Sequence, residues 1–92
     1  MTRDKIADYL IKDGLSPHMS SFFYLIRAIE LFDVENPRQM MLIYKKISDE
    51  YGSTPRAIER SITYAFIKAG INKRNRVYIA RANAVLCKEE EI

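Results

Sequence analysis

The residues of this chain best suited to chemistry lie in one stretch, STPRAIERSITYAFIKAG, residues 53–70. At 100° per residue, Ile58, Ile62, Ala65 and Ala69 fall within about 60° of one another, with Phe66 beside them. Arg56, Arg60, Thr63 and Ile67 lie opposite, and Glu59 sits on the shoulder. Burial of the Ile58 side projects Arg56 and Arg60 together from the first two turns. A helix entering a DNA major groove needs that arrangement, because its N-terminal residues approach the base edges. Arginine presents two donors to guanine O6 and N7, threonine a hydroxyl or a methyl, and glutamate an acceptor for cytosine N4. Arg56, Glu59, Arg60 and Thr63 are therefore the candidate base-contact residues.

A second set suits the sugar-phosphate backbone. Lys68, Lys73, Arg74 and Arg76 follow the same helix, Ser53 and Thr54 precede it, and His18 lies beside Pro17. Contacts of this kind position a protein and give salt-dependent affinity without reading sequence. Against each assignment stands a plainer one: solvated arginines and lysines are ordinary surface, and His18 also suits a local structural role.

Other chemistry finds no constellation in the sequence. The lone Cys87 has no partner cysteine, and it stands far from the lone His18, a poor metal set. No Ser, His and acid grouping resembles a triad and no HExxH is present, so the chain reads as a non-enzyme without a cofactor. Tyr24, Tyr44 and Tyr51 read as edges of a core, and Met40 and Met41 as filling for a core gap.

Charge is distributed unevenly. The net charge is +3, yet residues 1–52 carry seven Lys or Arg against eight Asp or Glu, and residues 53–92 carry eight against four. Between 53 and 81 the seven basic residues face only Glu59. A basic half on a small domain is the electrostatic footprint of a nucleic-acid binder. With 92 residues the chain suffices for one domain with a modest core. No signal-peptide pattern or membrane-length apolar run is present, so a cytoplasmic protein with no membrane partner is expected.

The elements that must position these residues read as helices throughout. Residues 3–13 have helical apolar spacing and are followed by Gly14. Ser16 and Pro17 supply an N-cap and a first-turn proline for a central buried helix containing Phe22, Leu25, Ile29 and Phe32, which Asn36 and Pro37 end. Met40, Ile43, Tyr44, Ile47 and Tyr51 define the inward side of a third helix that Gly52 stops. Thr54 as N-cap and Pro55 at the first position open the next, which Gly70 closes. Two helices joined by a short glycine turn, about 40–69, match a helix-turn-helix. A last helix spans about 73–88, with Val77, Ala80, Ala84 and Leu86 or Cys87 available to pack, and Glu89 to Glu91 fray. The fold class is all-α: a compact domain of five or six helices containing a helix-turn-helix.

Several of these stretches together resemble one family, the DNA-binding effector domain of stage 0 sporulation protein A. Gly14-Leu15, His18, Met19, Phe22-Phe23-Tyr24-Leu25 and Ala28-Ile29 follow its pattern G-V-P-A-H-I-K-G-Y-x-Y-L-R-x-A-I. Leu42-Ile43-Tyr44, Ile47 and Tyr51 follow its next helix, and Ser53-Thr54 with Ile58-Glu59-Arg60-Ser61-Ile62 resembles T-T-x-x-x-V-E-R-A-I. The likeness covers roughly residues 5–70. It departs at Ala57 and Thr63, where the family carries arginines, and at Ser20, where it carries lysine. The resemblance implies an all-helical, bacterial, sequence-specific double-stranded DNA-binding transcription regulator acting in sporulation, with Glu59 and Arg60 reading bases. The partners it implies are double-stranded DNA, a second copy in a homodimer, and RNA polymerase sigma factor or another regulator. Ninety-two residues leave no room for the family's receiver domain, and Met1 with the acidic tail points to a complete, stand-alone protein. The alternative expectation is a helical protein-interaction module or inhibitor that kept the fold and lost DNA recognition.

Overall fold

A computed structural model of the chain describes residues 1–36 and 38–90, the last by its backbone only. Five helices follow in order: α1 Arg3–Lys12, α2 Ser20–Leu31, α3 Met40–Tyr51, α4 Pro55–Ala69 and α5 Asn75–Glu90. Their ends follow from local chemistry. Thr2 and Thr54 cap α1 and α4, their hydroxyls accepting from the Lys5 and Ala57 N–H groups at 3.3 and 3.2 Å. The α4 cap and Pro55 stand where the sequence places them.

Gly52 and Gly70 close α3 and α4 at φ 66° and 73°. Beyond each glycine the next N–H reaches back five residues, Ser53 to the Ser48 carbonyl and Ile71 to that of Phe66, both at 2.9 Å. These bonds satisfy carbonyls that a helix end leaves without a partner.

The apolar sides meet around α2, which packs on each of the other four helices. Phe22, Leu25, Ala28, Ile29 and Phe32 fill the centre, joined by Ile6 and Leu10 of α1, Ile43 and Ile47 of α3, and Ile58, Ile62, Ala65 and Phe66 of α4. Each fully buried aliphatic side chain contributes about 1.5–3 kcal/mol relative to exposure. The result is a compact all-α domain with a radius of gyration of 12.3 Å, close to the ~12 Å expected for this length. No helix among the described residues is long and apolar enough to cross a membrane.

Four expectations need correction. Helix α2 starts at Ser20 with Met19 as N-cap, because the Ser16 hydroxyl is used in a turn, accepting from the His18 N–H at 3.3 Å. The helix ends at Leu31, where Phe32 turns extended to enter the core; Pro37 lies outside the described residues, as does Glu91 of the expected frayed end. Buried Gln39 closes the connection to α3, accepting from the Asp33 N–H and donating to the Asn36 carbonyl, both at 2.6 Å. Met41 and Tyr51 are exposed, Tyr51 resting edge-on against Tyr24 with ring centroids 5.1 Å apart.

The fourth correction concerns α5, which buries Tyr78, Ile79, Ala82 and Leu86, leaving Val77 and Ala84 exposed. Polar partners fix this register. The Tyr78 ring lies against Phe66, with centroids 4.7 Å apart, and its hydroxyl donates to Asp13 Oδ2 at 2.7 Å. Asn83 Nδ2 donates to the Ile29 and Phe32 carbonyls at 2.9 and 3.3 Å, covering the C-terminal end of α2.

Candidate nucleic-acid interface

With Ile58, Ile62, Ala65 and Phe66 buried, α4 turns Arg56, Glu59, Arg60, Thr63, Tyr64, Ile67 and Lys68 to solvent. Arg56 and Arg60 make no hydrogen bond or ion pair among the described residues. The arginines of the first half are engaged differently. Arg3 grips Glu30 through two bonds of 3.0 and 3.1 Å, and Arg27 grips Glu50 with Nε and Nη2 each at 2.9 Å. Arg38 aside, the arginines with no ion pair among the described residues are Arg56, Arg60, Arg74, Arg76 and Arg81 of the second half. The first turn of α4 holds no acidic residue, so Arg56 faces the positive end of the helix dipole without compensation.

One polar side chain ties the start of α5 to this surface. Asn75 Nδ2 donates to Thr63 Oγ1 at 3.0 Å and lies 3.3 Å from the Tyr44 hydroxyl and 3.4 Å from the Glu59 carbonyl. Thr63 Oγ1 in turn donates to the Glu59 carbonyl at 2.9 Å. The Thr63 hydroxyl thus gives its proton to the Glu59 carbonyl and accepts from Asn75, while the side chain stays exposed. Burial raises the Tyr44 phenol above its usual range, against the opposing effect of the bond from Asn75.

This knot places Lys73, Arg74 and Arg76 beside Glu59 and Thr63, around a shallow depression of about 450 Å³. All three cations are exposed. On the opposite edge of α4 lies Lys68, whose Nζ sits 5.6 Å from the centre of the Tyr64 ring. The hydroxyl of Thr54 caps α4 and Ser53 is exposed beside it. His18, also exposed, stands in the turn before α2, its N–H donating to the Ser16 hydroxyl. Sequence periodicity brings out the arginines but not Asn75, whose partners stand 12 and 31 residues away.

Among the described residues, no three or more His, Cys, Asp or Glu side chains are grouped to hold a metal ion. No protein-family model matches the chain, and neither the curated proteins nor the solved structures hold a match. Those results overturn the labels taken from the resemblance: sporulation, response-regulator effector, and DNA binding and transcription regulation as family traits are withdrawn. Any case for DNA then rests on the chain's own residues.

Proposed function

We propose that this domain binds duplex DNA, with α3 and α4 as a helix-turn-helix and the outer side of α4 in the major groove. The observation that carries the reading is the contrast among the arginines. Those of α1 and α2 are neutralised by bidentate glutamates, while Arg56 and Arg60 on one helix, and Lys73, Arg74 and Arg76 flanking it, have no ion pair among the described residues. Leaving several like charges close together costs Coulomb energy, which an anionic partner relieves. Arg56, Arg60 and Glu59 have the reach and hydrogen-bonding capacity to read base edges, and the start of α5 suits a phosphate strand.

The test is fluorescence anisotropy with a labelled duplex across a salt series. Binding that weakens steeply with salt, with Lys73→Ala or Arg74→Ala each lowering the log–log slope by about 1, supports the reading. Absence of duplex binding at low salt removes it.

One observation favours a second reading, a protein-interaction module. Ile67, on the same ridge, is 70% exposed, and Tyr64 beside it is 54% exposed. A stable protein complex blocked by Ile67→Asp, in a chain that fails to bind duplex, would select that alternative.

A further inference from the structure

A depression of about 450 Å³ lies between α1, the C-terminal end of α4 and α5, with Tyr9, Asp13, Ile71, Lys73, Tyr78 and Arg81 in its wall. Its charges are of both signs. Asp13 supplies the one carboxylate among the described lining residues, and Lys73 and Arg81 supply two cations. Opposite charges in one wall attract, yet none of these three side chains makes an ion pair among the described residues. Arg3 and Arg27 of the same molecule do close theirs.

Asp13 is held in place by the fold. Its Oδ2 accepts from the Tyr78 hydroxyl at 2.7 Å, and its N–H donates to the Tyr9 and Leu10 carbonyls at 3.3 and 3.1 Å. Oδ1 has no hydrogen-bond donor among the described residues. Asp13 is also the C-cap of α1, and Gly70, the C-cap of α4, lines the same depression. Each is the negative end of a helix dipole, so this part of the wall favours a cationic group. The Tyr9 phenol is raised above its ordinary range chiefly by burial, with Asp13 raising it further and Arg81 opposing. Both charges therefore act on one hydroxyl of the wall. The Tyr9 ring meets Tyr78 edge-on with centroids 6.2 Å apart, and half-buried Ile71 adds further apolar surface.

We infer that this depression is a binding site for a free apolar α-amino acid: Asp13 Oδ1 accepts from its ammonium, Arg81 donates to its carboxylate, and its side chain lies against Tyr9 and Ile71. A zwitterion joins the opposite charges that the protein itself leaves apart. Arginine suits the carboxylate because its planar fork offers two parallel donors. A dicarboxylate would set like charge against Asp13, and a diamine would do so against Arg81 and Lys73. The volume and the mixture of apolar wall with a few polar groups are those of a small-molecule pocket. Tyr9, Asp13 and Arg81 lie outside the surface assigned to duplex DNA, so the two readings stand or fall separately.

The experiment is backbone-amide NMR of the full chain at constant pH and ionic strength. Separate samples are titrated with L-leucine, with N-acetyl-L-leucine, which lacks the ammonium, and with L-leucinamide, which lacks the carboxylate. L-Leucine moves the amides of Asp13, Ile71 and Arg81 saturably, and each one-charge analogue binds at least about tenfold more weakly, the worth of one hydrogen bond to a charged group. Arg81→Gln and Asp13→Asn each weaken L-leucine at least about tenfold. The first leaves the residual binding of L-leucinamide unchanged, and the second that of N-acetyl-L-leucine, a pattern that a merely structural role would not produce. The Asn amide oxygen can still accept from Tyr78; if Asp13→Asn does not fold, the exposed Arg81→Gln decides alone. No saturable shift with L-leucine, an analogue that binds as well as L-leucine, or a folded variant that keeps the wild-type affinity overturns the site.

Discussion

Arg60 and Ser21 illustrate two ways in which a side chain can be left without a partner. Arg60 is exposed, so water solvates its charge and its guanidinium is available to a partner. Replacing Arg60 with Ala is expected to lower affinity for a preferred duplex by about 1–3 kcal/mol and to change affinity for scrambled duplex much less, as measured by anisotropy at fixed salt. Ser21 is buried, and its unsatisfied hydroxyl destabilises the fold by about 1–3 kcal/mol. Ser21→Ala should therefore raise unfolding free energy in urea by about 1 kcal/mol or more. A fall in stability would mean that the hydroxyl has a partner in solution. The outward direction of both α4 arginines was legible in the sequence because it follows from helical periodicity. The commitment of Thr63 was not, because its partner Asn75 belongs to another helix and no periodicity links the two.

At the scale of elements, the α3–α4 turn depends on Gly52. It adopts φ 66°, and a Cβ added there would meet nothing within 4 Å. Any cost of Gly52→Ala therefore comes from the left-handed backbone alone, about 1–2 kcal/mol. Urea denaturation checks this value, and an unchanged midpoint would show that the turn accommodates a different backbone. Local signals made α4 readable to its ends: Thr54, Pro55 and Gly70 act within a few residues of where they stand. The start of α2 was misread because Ser16-Pro17 can open a helix or a turn, and the Ser16 hydroxyl bonds within the turn. In α5 an alanine-rich pattern left the register open, and the deciding contacts came from Tyr78 and Asn83, whose partners lie 65 and 54 residues away.

Across the whole molecule, the buried tyrosines join α5 to the rest of the fold and make its stability sensitive to alkali. Burial is the leading cause that raises both Tyr44 and Tyr78; the bond to Asp13 adds to the effect at Tyr78. A phenol whose folded pKa lies above its unfolded value, about 10, contributes stability that is complete below pH 10 and lost as pH rises toward the folded pKa. Unfolding free energy should decline above pH 10 by up to ~1.4 kcal/mol per pH unit for each such phenol. Tyr78→Phe should flatten that decline, and an identical slope in the variant would count against the assignment.

The all-helical class and the basic second half were legible from composition and spacing. The pairing of Arg3 with Glu30 and of Arg27 with Glu50 was not, since it depends on α2 packing against both α1 and α3. That pairing matters because it distinguishes neutralised arginines from the unpaired set on α4.

The most direct test of the central proposal is selection from a random duplex library by the purified chain, with Arg60→Ala in parallel, at a salt concentration that preserves folding. Duplex reading by α4 predicts a reproducible enriched motif that changes or relaxes in the variant. A wild-type chain that enriches no motif, or a motif that Arg60→Ala leaves intact, would contradict it.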